Sequence, residues 1–235
     1  MKPISEVYNM DCLEYMKTIP DKFFDLCIAD PPYGIGADKR QKGRSNKKYG
    51  KACAKSKLYI ESDWDCEPVS NDVINEMLRV SKKAIIWGAN NFVSKIAQDS
   101  SCWIVWDKDN GSNGYADCEL AWSNFNSAVR KFKYKWHGML QENMKNKEER
   151  IHPTQKPVAL YSWLLDNYAK NGDKIFDPFL GGGSSRIAAF KKGFNFYGCE
   201  LDKEYFEASK ERFQKECFGE QKLSSGKIII QGSLF

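Results

Sequence analysis

Short apolar runs and amphipathic stretches follow one another along the chain, and this pattern predicts strands and helices in alternation. Residues Phe24–Ala29 form a compact apolar run that is typical of a strand buried on both faces of a parallel sheet. Strands are predicted at residues 6–9, 24–29, 83–87, 103–106, 119–122, 174–176, 195–199 and 227–230. Helices are predicted at residues 12–18, 69–80, 91–98, 157–170, 184–192 and 205–217. The alternation indicates one α/β domain over residues 1–235, with a mostly parallel sheet and helices on both of its faces.

Three stretches depart from this alternation. Residues 103–106 and 119–122 flank a turn rich in glycine, asparagine and aspartate, which predicts an antiparallel hairpin. Residues 124–150 are polar and basic with aromatic interruptions, and no regular structure is predicted there. Residues 38–57 hold nine basic residues against one acid, among glycines and small polar residues. Such a loop suits contact with phosphates, and a solvated loop without a partner is the alternative.

Composition narrows the class of protein. The 235 residues are 42% hydrophobic, enough for a substantial core, and the net charge of +5 is too small to indicate nucleic-acid binding by itself. No apolar run approaches a membrane span and the first residues do not resemble a signal peptide, so a soluble, cytoplasmic protein is expected. The eight cysteines form no C-x-x-C pair and the two histidines are His137 and His152, so neither a metal site nor a disulfide is expected.

A glycine-rich turn lies between a predicted strand and a predicted helix, where residues 177–185 read Asp-Pro-Phe-Leu-Gly-Gly-Gly-Ser-Ser. Glycine lets a ligand approach the backbone, and Glu200, at the end of the next strand, is placed to accept hydrogen bonds from ribose hydroxyls. The turn is not G-x-G-x-x-G and lacks a phosphate-binding lysine. A nucleoside with a short amino-acid tail is therefore favoured over a dinucleotide or a triphosphate, and a turn that serves only packing is the alternative.

Two further segments suit the same ligand. Residues 152–157, His-Pro-Thr-Gln-Lys-Pro, precede a helix, and the free N–H groups at a helix start suit a carboxylate. Asp11 follows the first strand, where it is expected either to accept from an adenine amino group or to cap the next helix.

The second candidate for chemistry is the turn after the strand at 24–29, formed by Asp30, Pro31, Pro32 and Tyr33. The exocyclic amine of a nucleobase is a poor nucleophile because its lone pair is delocalised into the ring. The Asp30 carboxylate and the Pro31 carbonyl are two acceptors for the amine hydrogens, and Pro-Pro holds that carbonyl on a stiff backbone. Tyr33 offers a flat face on which a flipped base can stack. A merely rigid turn is the alternative.

At these motifs the chain resembles the β-group DNA adenine-N6 methyltransferases of restriction–modification systems, phages and bacterial genomes. Residues 9–14, 30–33, 152–157 and 177–183, followed by Glu200, occur in that family's order, and the resemblance covers residues 8 to about 212. It implies a Rossmann-like, S-adenosylmethionine-dependent methyltransferase fold, with a seven-stranded sheet in circularly permuted order. The chain departs mildly from the family's Gly-Ser-Gly-Thr-Thr, because residues 181–185 read Gly-Gly-Gly-Ser-Ser.

The resemblance also implies roles for single residues. Asp11 would contact the adenine of S-adenosylmethionine, Glu200 its ribose, and Thr154 and Lys156 its carboxylate end. The full set expected to bind this cofactor is Asp11, Cys12, Asp30, Thr154, Lys156, Pro157, Asp177, Pro178, Phe179, Gly181, Gly183, Ser184, Glu200 and Leu201. The residues expected to contact double-stranded DNA are Lys39, Arg40, Lys42, Arg44, Lys47 and Lys48 in the basic loop at 38–57, with Arg130, Lys131 and Lys133 in a target-recognition segment at 124–150.

Three questions stay open at this point. Asp-Pro-Pro-Tyr favours adenine N6 as the target, and cytosine N4 is the alternative, since those enzymes more often begin this turn with serine. A DNA-binding subunit that is inactive without a partner is an alternative of another class. Partners are suggested only by analogy: a homodimer, as in related enzymes, and a bacterial sliding clamp, because Gln231, Leu234 and Phe235 resemble a clamp-docking peptide.

Overall fold

The computed structural model of the chain describes residues 2–36, 65–111, 116–137, 140–222 and 228–230. The strands are β1 (Ser5–Asn9), β2 (Phe24–Ala29), β3 (Ser81–Trp87), β4 (Ile104–Asp107), β5 (Cys118–Ser123), β6 (Arg130–Lys133), β7 (Trp136–His137), β8 (Leu140–Gln141), β9 (Lys174–Asp177), β10 (Asn195–Glu200), β11 (Glu220–Lys222) and β12 (Ile228–Ile230). The α-helices are α1 (Cys12–Lys17), α2 (Asn71–Val80), α3 (Val158–Tyr168), α4 (Ser184–Lys191) and α5 (Lys203–Phe218).

Eight of these strands form the main sheet, in the order β1-β10-β9-β2-β3-β5-β4-β6. The first five are parallel to one another, and β5 runs antiparallel to both β3 and β4. Strands β2 and β9 are direct neighbours, with Leu26 opposite Ile175, although they are far apart in the chain. The turns that follow these two strands therefore leave the sheet side by side at its carboxyl edge.

The central strand β2 is packed on both faces, which accounts for its mostly apolar sequence, interrupted only by Asp25. On one face Phe24 stacks on Phe176 with ring centroids 4.4 Å apart, in a core that also includes side chains of α1 and α2. On the other face Leu26 and Ile28 belong to a core that includes side chains of α3 and α4. Helices thus cover both faces of the sheet, as the sequence predicts.

Several predicted elements differ in detail from the structure. The predicted hairpin is present as β4 and β5. The helix predicted at 91–98 is wrong, because Ala89–Asn91 and Val93–Lys95 form two short 3-10 turns separated by the non-helical backbone of Phe92. Strand β12 pairs with β11 in a separate two-stranded sheet.

The segment 124–150 contains regular structure that the sequence did not predict. Strand β6 pairs in parallel with β4 and brings the main sheet to eight strands rather than seven, and β7 pairs with β8. The sequence of β6, Arg-Lys-Phe-Lys, lacks an apolar alternation. As an edge strand it buries part of Phe132 and leaves its charged residues exposed, which is common where an edge must resist pairing with other chains.

Candidate active site

The turns after β2 and β9 open into one cavity of about 460 Å³ at the carboxyl edge of the sheet. That volume lies in the range of small-molecule sites, roughly 300–1,000 Å³. Predicted residues that line it are Asp11, Cys12, Asp30, Pro31, Pro32, Tyr33, Thr154, Lys156, Pro178, Phe179, Gly181, Ser184, Glu200 and Leu201. The fold therefore brings both candidate motifs to the same cavity.

Three predicted residues lie just behind the cavity wall. Asp177 is buried and accepts from the backbone N–H of Phe179 and the hydroxyl of Ser185, so it holds the turn from beneath. Burial raises the pKa of Asp177 to about 7. Gly183 has a φ of 72° and leads into α4, and Pro157 occupies the N-cap position of α3.

The glycine turn is held from above by side chains that approach its backbone closely. A Cβ added to Gly182 would lie 2.5 Å from the side-chain oxygen of Gln155, so a larger residue here would require Gln155 to move. Arg212 donates to the Gly182 carbonyl at 2.6 Å and to the Ser184 hydroxyl at 2.9 Å, and it pairs with Glu148. The turn is therefore fixed without any ligand.

Glu200 takes part in the same restraint. One of its carboxylate oxygens accepts from the backbone N–H of Gly181 at 2.7 Å, and the other accepts from the N–H of Asp202 at 2.9 Å. Burial raises its pKa. Asp11 caps α1 by accepting from the N–H groups of Leu13 and Glu14, so the helix-cap reading of this residue is confirmed, while it also lines the cavity.

The segment at 152–157 forms another wall. The ring of His152 meets that of Tyr205 edge-on with centroids 4.4 Å apart, and its Nδ1 lies 3.2 Å from the hydroxyl of Thr154. Burial lowers the pKa of His152 to about 4, so this ring is neutral near pH 7. In this wall His152 is therefore uncharged, and the positive charge is carried by Lys156.

The Asp-Pro-Pro-Tyr turn presents a carboxylate whose two oxygens differ. Oδ1 of Asp30 accepts from the hydroxyl of Tyr33 at 2.6 Å and from the ammonium of Lys156, while Oδ2 accepts no hydrogen bond from the described residues. The Pro32 carbonyl accepts from the N–H of Val69 at 3.2 Å. One carboxylate oxygen is thus held by protein donors, and the other is left for a ligand.

Two neighbours fix Tyr33 within this turn. Asp65, which is buried, accepts from the backbone N–H groups of Tyr33 at 2.7 Å and Gly34 at 2.9 Å. The ring of Tyr33 lies against the backbone of Gly88, where an added Cβ would come within 2.1 Å of it. Gly88 has a φ of 67°, so glycine is favoured there for both reasons.

Lys156 is the most buried member of a set of charges beside this turn. Its side chain is 3% exposed, and its ammonium pairs with Asp30 and, at 3.1 Å, with Glu119 of β5. Glu119 in turn pairs with Lys108. Although burial opposes it, these two lysines lower the pKa of Glu119 to about 2. The expected contact of Lys156 with the carboxylate end of a cofactor stays a prediction.

Sequence reasoning missed part of the site. The cavity is also lined by Met10, Asp65, Tyr161, Leu180, Gly182, Asp202 and Tyr205. Asp65 follows a stretch with no strand signal, and Glu119 is a single acid inside an apolar strand. A lone acid at such a strand position is the sequence signal that points to Glu119.

The residues expected to contact DNA fall into two groups. Arg130, Lys131 and Lys133 are exposed on β6, and Lys133 pairs with Asp109 at 2.9 Å. Lys39, Arg40, Lys42, Arg44, Lys47 and Lys48 lie outside the described residues, as do Gln231, Leu234 and Phe235. No helix in the part of the chain that the structure describes is long and apolar enough to cross a membrane.

Curated relatives cover most of the chain. It is 26% identical over 252 aligned positions to the type II methyltransferase M.HinfI of Haemophilus influenzae. This alignment covers 90% of this chain and 69% of that protein. It is 24% identical to the type II methyltransferase M.HpaI of Haemophilus parainfluenzae, with 89% and 74% covered.

Solved structures share the fold. The M1.HpyAVI–S-adenosylmethionine complex has a TM-score of 0.55 at 22% identity, covering 88% of this chain and 98% of that one. A putative DNA modification methylase of Thermus thermophilus, solved with S-adenosylmethionine, has a TM-score of 0.56 at 18% identity, with 91% and 94% covered. The cytosine-N4-specific PvuII DNA methyltransferase has a TM-score of 0.58 at 13% identity, with 90% and 87% covered.

The model of the DNA methylase family that contains N6 and N4 enzymes matches residues 82–211, more than half of the chain. The matched region includes β3 to β10, with the segment 152–157, the glycine turn and Glu200. The chain therefore belongs to this family of DNA methylases, which use S-adenosylmethionine as the methyl donor.

Proposed function

We propose that the protein transfers a methyl group from S-adenosylmethionine to the N6 amino group of an adenine that is flipped out of DNA at a specific sequence. The observation that carries this proposal is the Asp30 carboxylate, with Oδ1 held by Tyr33 and Lys156 and Oδ2 open. It lies in the same cavity as the glycine turn and Glu200.

The cofactor residues fit a nucleoside with an amino-acid tail. Asp11 and Glu200 place carboxylates on the cavity wall, and Pro178, Phe179 and Leu201 add apolar surface on which a purine can lie. Thr154 offers a hydroxyl for the tail. Because the fold brings this wall next to the Asp-Pro-Pro-Tyr turn, a methyl donor bound there faces the amine held by that turn.

The chemistry requires the amine nitrogen to act as a nucleophile. Oδ2 of Asp30 and the Pro31 carbonyl would each accept one amine hydrogen and draw the lone pair out of conjugation with the ring. The Pro32 carbonyl is already bonded to Val69, so Pro31 supplies the second acceptor. The nitrogen then attacks the sulfonium methyl in line, the C–S bond electrons remain on sulfur, and one amine proton leaves through Asp30 to solvent.

DNA would be held by basic side chains of two segments, β6 and the loop at 38–57. The exposed residues Arg130, Lys131 and Lys133 on β6 support a role for residues 124–150 in target recognition, and the basic loop at 38–57 would contact phosphates. A base within the duplex cannot reach a buried carboxylate, so base flipping is part of the proposal.

Adenine is proposed over cytosine because the turn begins with Asp30 rather than serine. The test is mass spectrometry of nucleosides from DNA incubated with the purified protein and isotope-labelled S-adenosylmethionine. Labelled N6-methyladenine is expected. Labelled N4-methylcytosine in its place would overturn the adenine assignment, and DNA binding without any transfer would favour a subunit that needs a partner.

A further inference from the structure

Four charged side chains from separate parts of the fold form one chain of ion pairs beside the Asp-Pro-Pro-Tyr turn, with Lys156 buried and the other three partly buried. Asp30 follows β2, Lys156 precedes α3, Glu119 lies on β5, and Lys108 follows β4. Asp30 pairs with Lys156, Lys156 pairs with Glu119 at 3.1 Å, and Glu119 pairs with Lys108. The charges alternate in sign and sum to zero, which is the arrangement in which buried charges are tolerated.

The ammonium of Lys156 already contacts oxygens of the Asp-Pro-Pro-Tyr turn and of β5. Its side chain is 3% exposed, it contacts Oδ1 of Asp30, and it lies 3.0 Å from the hydroxyl of Tyr33, while Glu119 approaches from β5. An ammonium has three N–H groups; two of them donate to Oδ1 of Asp30 and to the Tyr33 hydroxyl, and Glu119 lies 3.1 Å away as an ion pair. A cofactor carboxylate would compete with these partners for the ammonium.

We propose that Lys156 and Glu119 are positioning residues for Asp30: Lys156 fixes the carboxylate through Oδ1 so that Oδ2 faces the substrate amine, and Glu119 holds Lys156 in place. This inference rests on the proposed function, since it assigns these residues to the step in which Asp30 receives the amine. It places Lys156 on the substrate side of the cavity and leaves the cofactor tail to Thr154 and the backbone around it.

The two residues act on the ionisation of Asp30 in opposite directions. Burial raises the pKa of the Asp30 carboxyl, the Lys156 ammonium lowers it, and the Glu119 carboxylate raises it. The other titratable groups near Asp30 are Tyr33 in its own turn, Tyr161 on α3 and Asp177 on β9. Because Asp30 must be ionised to accept the amine hydrogen, kcat is expected to fall as the pH falls through its pKa.

The experiment compares Lys156→Met and Glu119→Gln with the wild-type protein in three measurements. These are kcat, the pH at which kcat falls on the acid side (the acid limb), and the Kd for S-adenosylmethionine without DNA. Lys156→Met should lower kcat by about 10²-fold, as expected when a reacting group is misplaced. Its acid limb should move up by about 1–3 pH units, since an opposite charge has been removed. Glu119→Gln removes a negative charge near Asp30, so it should move the acid limb to lower pH, by a smaller amount. Both variants should keep the Kd within about threefold of wild type.

Two matched variants control for the loss of a charge. Lys192→Met breaks a pair with Asp166 outside the cavity, and Glu207→Gln breaks a pair with Lys210, so both should leave all three measurements unchanged. Lys156→Arg keeps the positive charge and should restore the position of the acid limb even where geometry reduces kcat. If Lys156→Met does not fold, Lys156→Arg and Glu119→Gln decide the question by the same measurements.

Three results would overturn the inference. A Kd raised tenfold or more by Lys156→Met with an unmoved acid limb would place Lys156 on the cofactor carboxylate. Acid limbs that move in the same direction in both variants, or that stay in place, would make the cluster merely structural. Absence of methyl transfer by wild-type protein would instead contradict the proposed function, which separates the two failures.

Discussion

Glu200 accepts a hydrogen bond from the backbone N–H of Gly181 at 2.7 Å, so the acid at the end of β10 holds the glycine turn that follows β9. Glu200, which is expected to bind ribose hydroxyls, therefore also restrains the backbone of the glycine turn. Its two oxygens are shared between the turn and the N–H of Asp202. The conformation of the glycine turn and the proposed ribose contact thus depend on the same side chain.

Glu200→Ala is expected to raise the Kd for S-adenosylmethionine at least tenfold, since the variant loses the proposed ribose contact and frees the Gly181 amide; a lost hydrogen bond to a charged group costs about 1.5–3 kcal/mol. Calorimetric titration measures the Kd. Glu204→Ala, an exposed acid in the first turn of α5, is the matched control and should bind as wild type. Unchanged binding by Glu200→Ala would remove Glu200 from the cofactor site.

Asp30→Ala is expected to abolish methyl transfer and to leave the Kd for S-adenosylmethionine within a few-fold, because Asp30 acts on the amine. Transfer of labelled methyl to DNA and a separate binding titration give the two values. Asp21→Ala, which removes an exposed carboxylate that pairs with Arg79 shortly before β2, should retain turnover. Loss of cofactor binding in step with activity would show that Asp30 has only a structural role.

Asp65→Ala is expected to lower kcat with little change in cofactor affinity, because it leaves the buried amides of Tyr33 and Gly34 without their acceptor. Each unpaired buried group costs about 1–3 kcal/mol, so the melting temperature should also fall. Asp65→Asn keeps an oxygen acceptor and should retain most of the activity. Equal losses of kcat in the two variants would show that this hydrogen bonding does not hold Tyr33 in place for catalysis.

Replacing four basic residues of the loop at 38–57 is expected to flatten the dependence of log K for DNA on log salt. If all four meet phosphates, the slope should change by roughly 3–4. The residues are Lys39, Arg40, Lys42 and Arg44, which lie outside the described part of the chain, so the prediction rests on sequence. Binding is measured by fluorescence anisotropy at several salt concentrations.

The control for this experiment removes four lysines elsewhere, on the helices α4 and α5 and just after α4: Lys191, Lys192, Lys210 and Lys215. Their removal lowers the net charge equally and should leave the salt slope nearly unchanged. Equal slopes in the two quadruple variants would mean that the loop makes no specific phosphate contacts. Target specificity should survive in both, since base reading is assigned to residues 124–150.

The sequence predicted the parts of the site that depend on local chemistry. The Asp-Pro-Pro-Tyr turn, the glycine turn and Glu200 could be found because each lies at the end of an apolar run, and runs of this kind are confirmed as β2, β9 and β10. Their meeting in one cavity follows from the parallel order of these strands.

The residues that were missed depend on tertiary contacts. Asp65 is bonded to the turn across a long stretch of sequence, and Glu119 reaches Lys156 only because β5 lies next to β3 in the sheet. Strand β6 was missed because it is an edge strand whose charged side chains hide any period-two pattern. The local sequence pattern does not indicate contacts between residues that are distant in the chain.

The pairing of β2 with β9 also constrains how the protein folds. Leu26 and Ile175 meet only after most of the chain has been made, and closing so long a loop is slow compared with forming local contacts. The cavity is lined by both turns, so it is complete only once β2 and β9 have paired. A chain cut between these two strands would leave half of the cavity on each fragment, and recovery of methyl transfer on mixing would report directly on reassembly of the sheet.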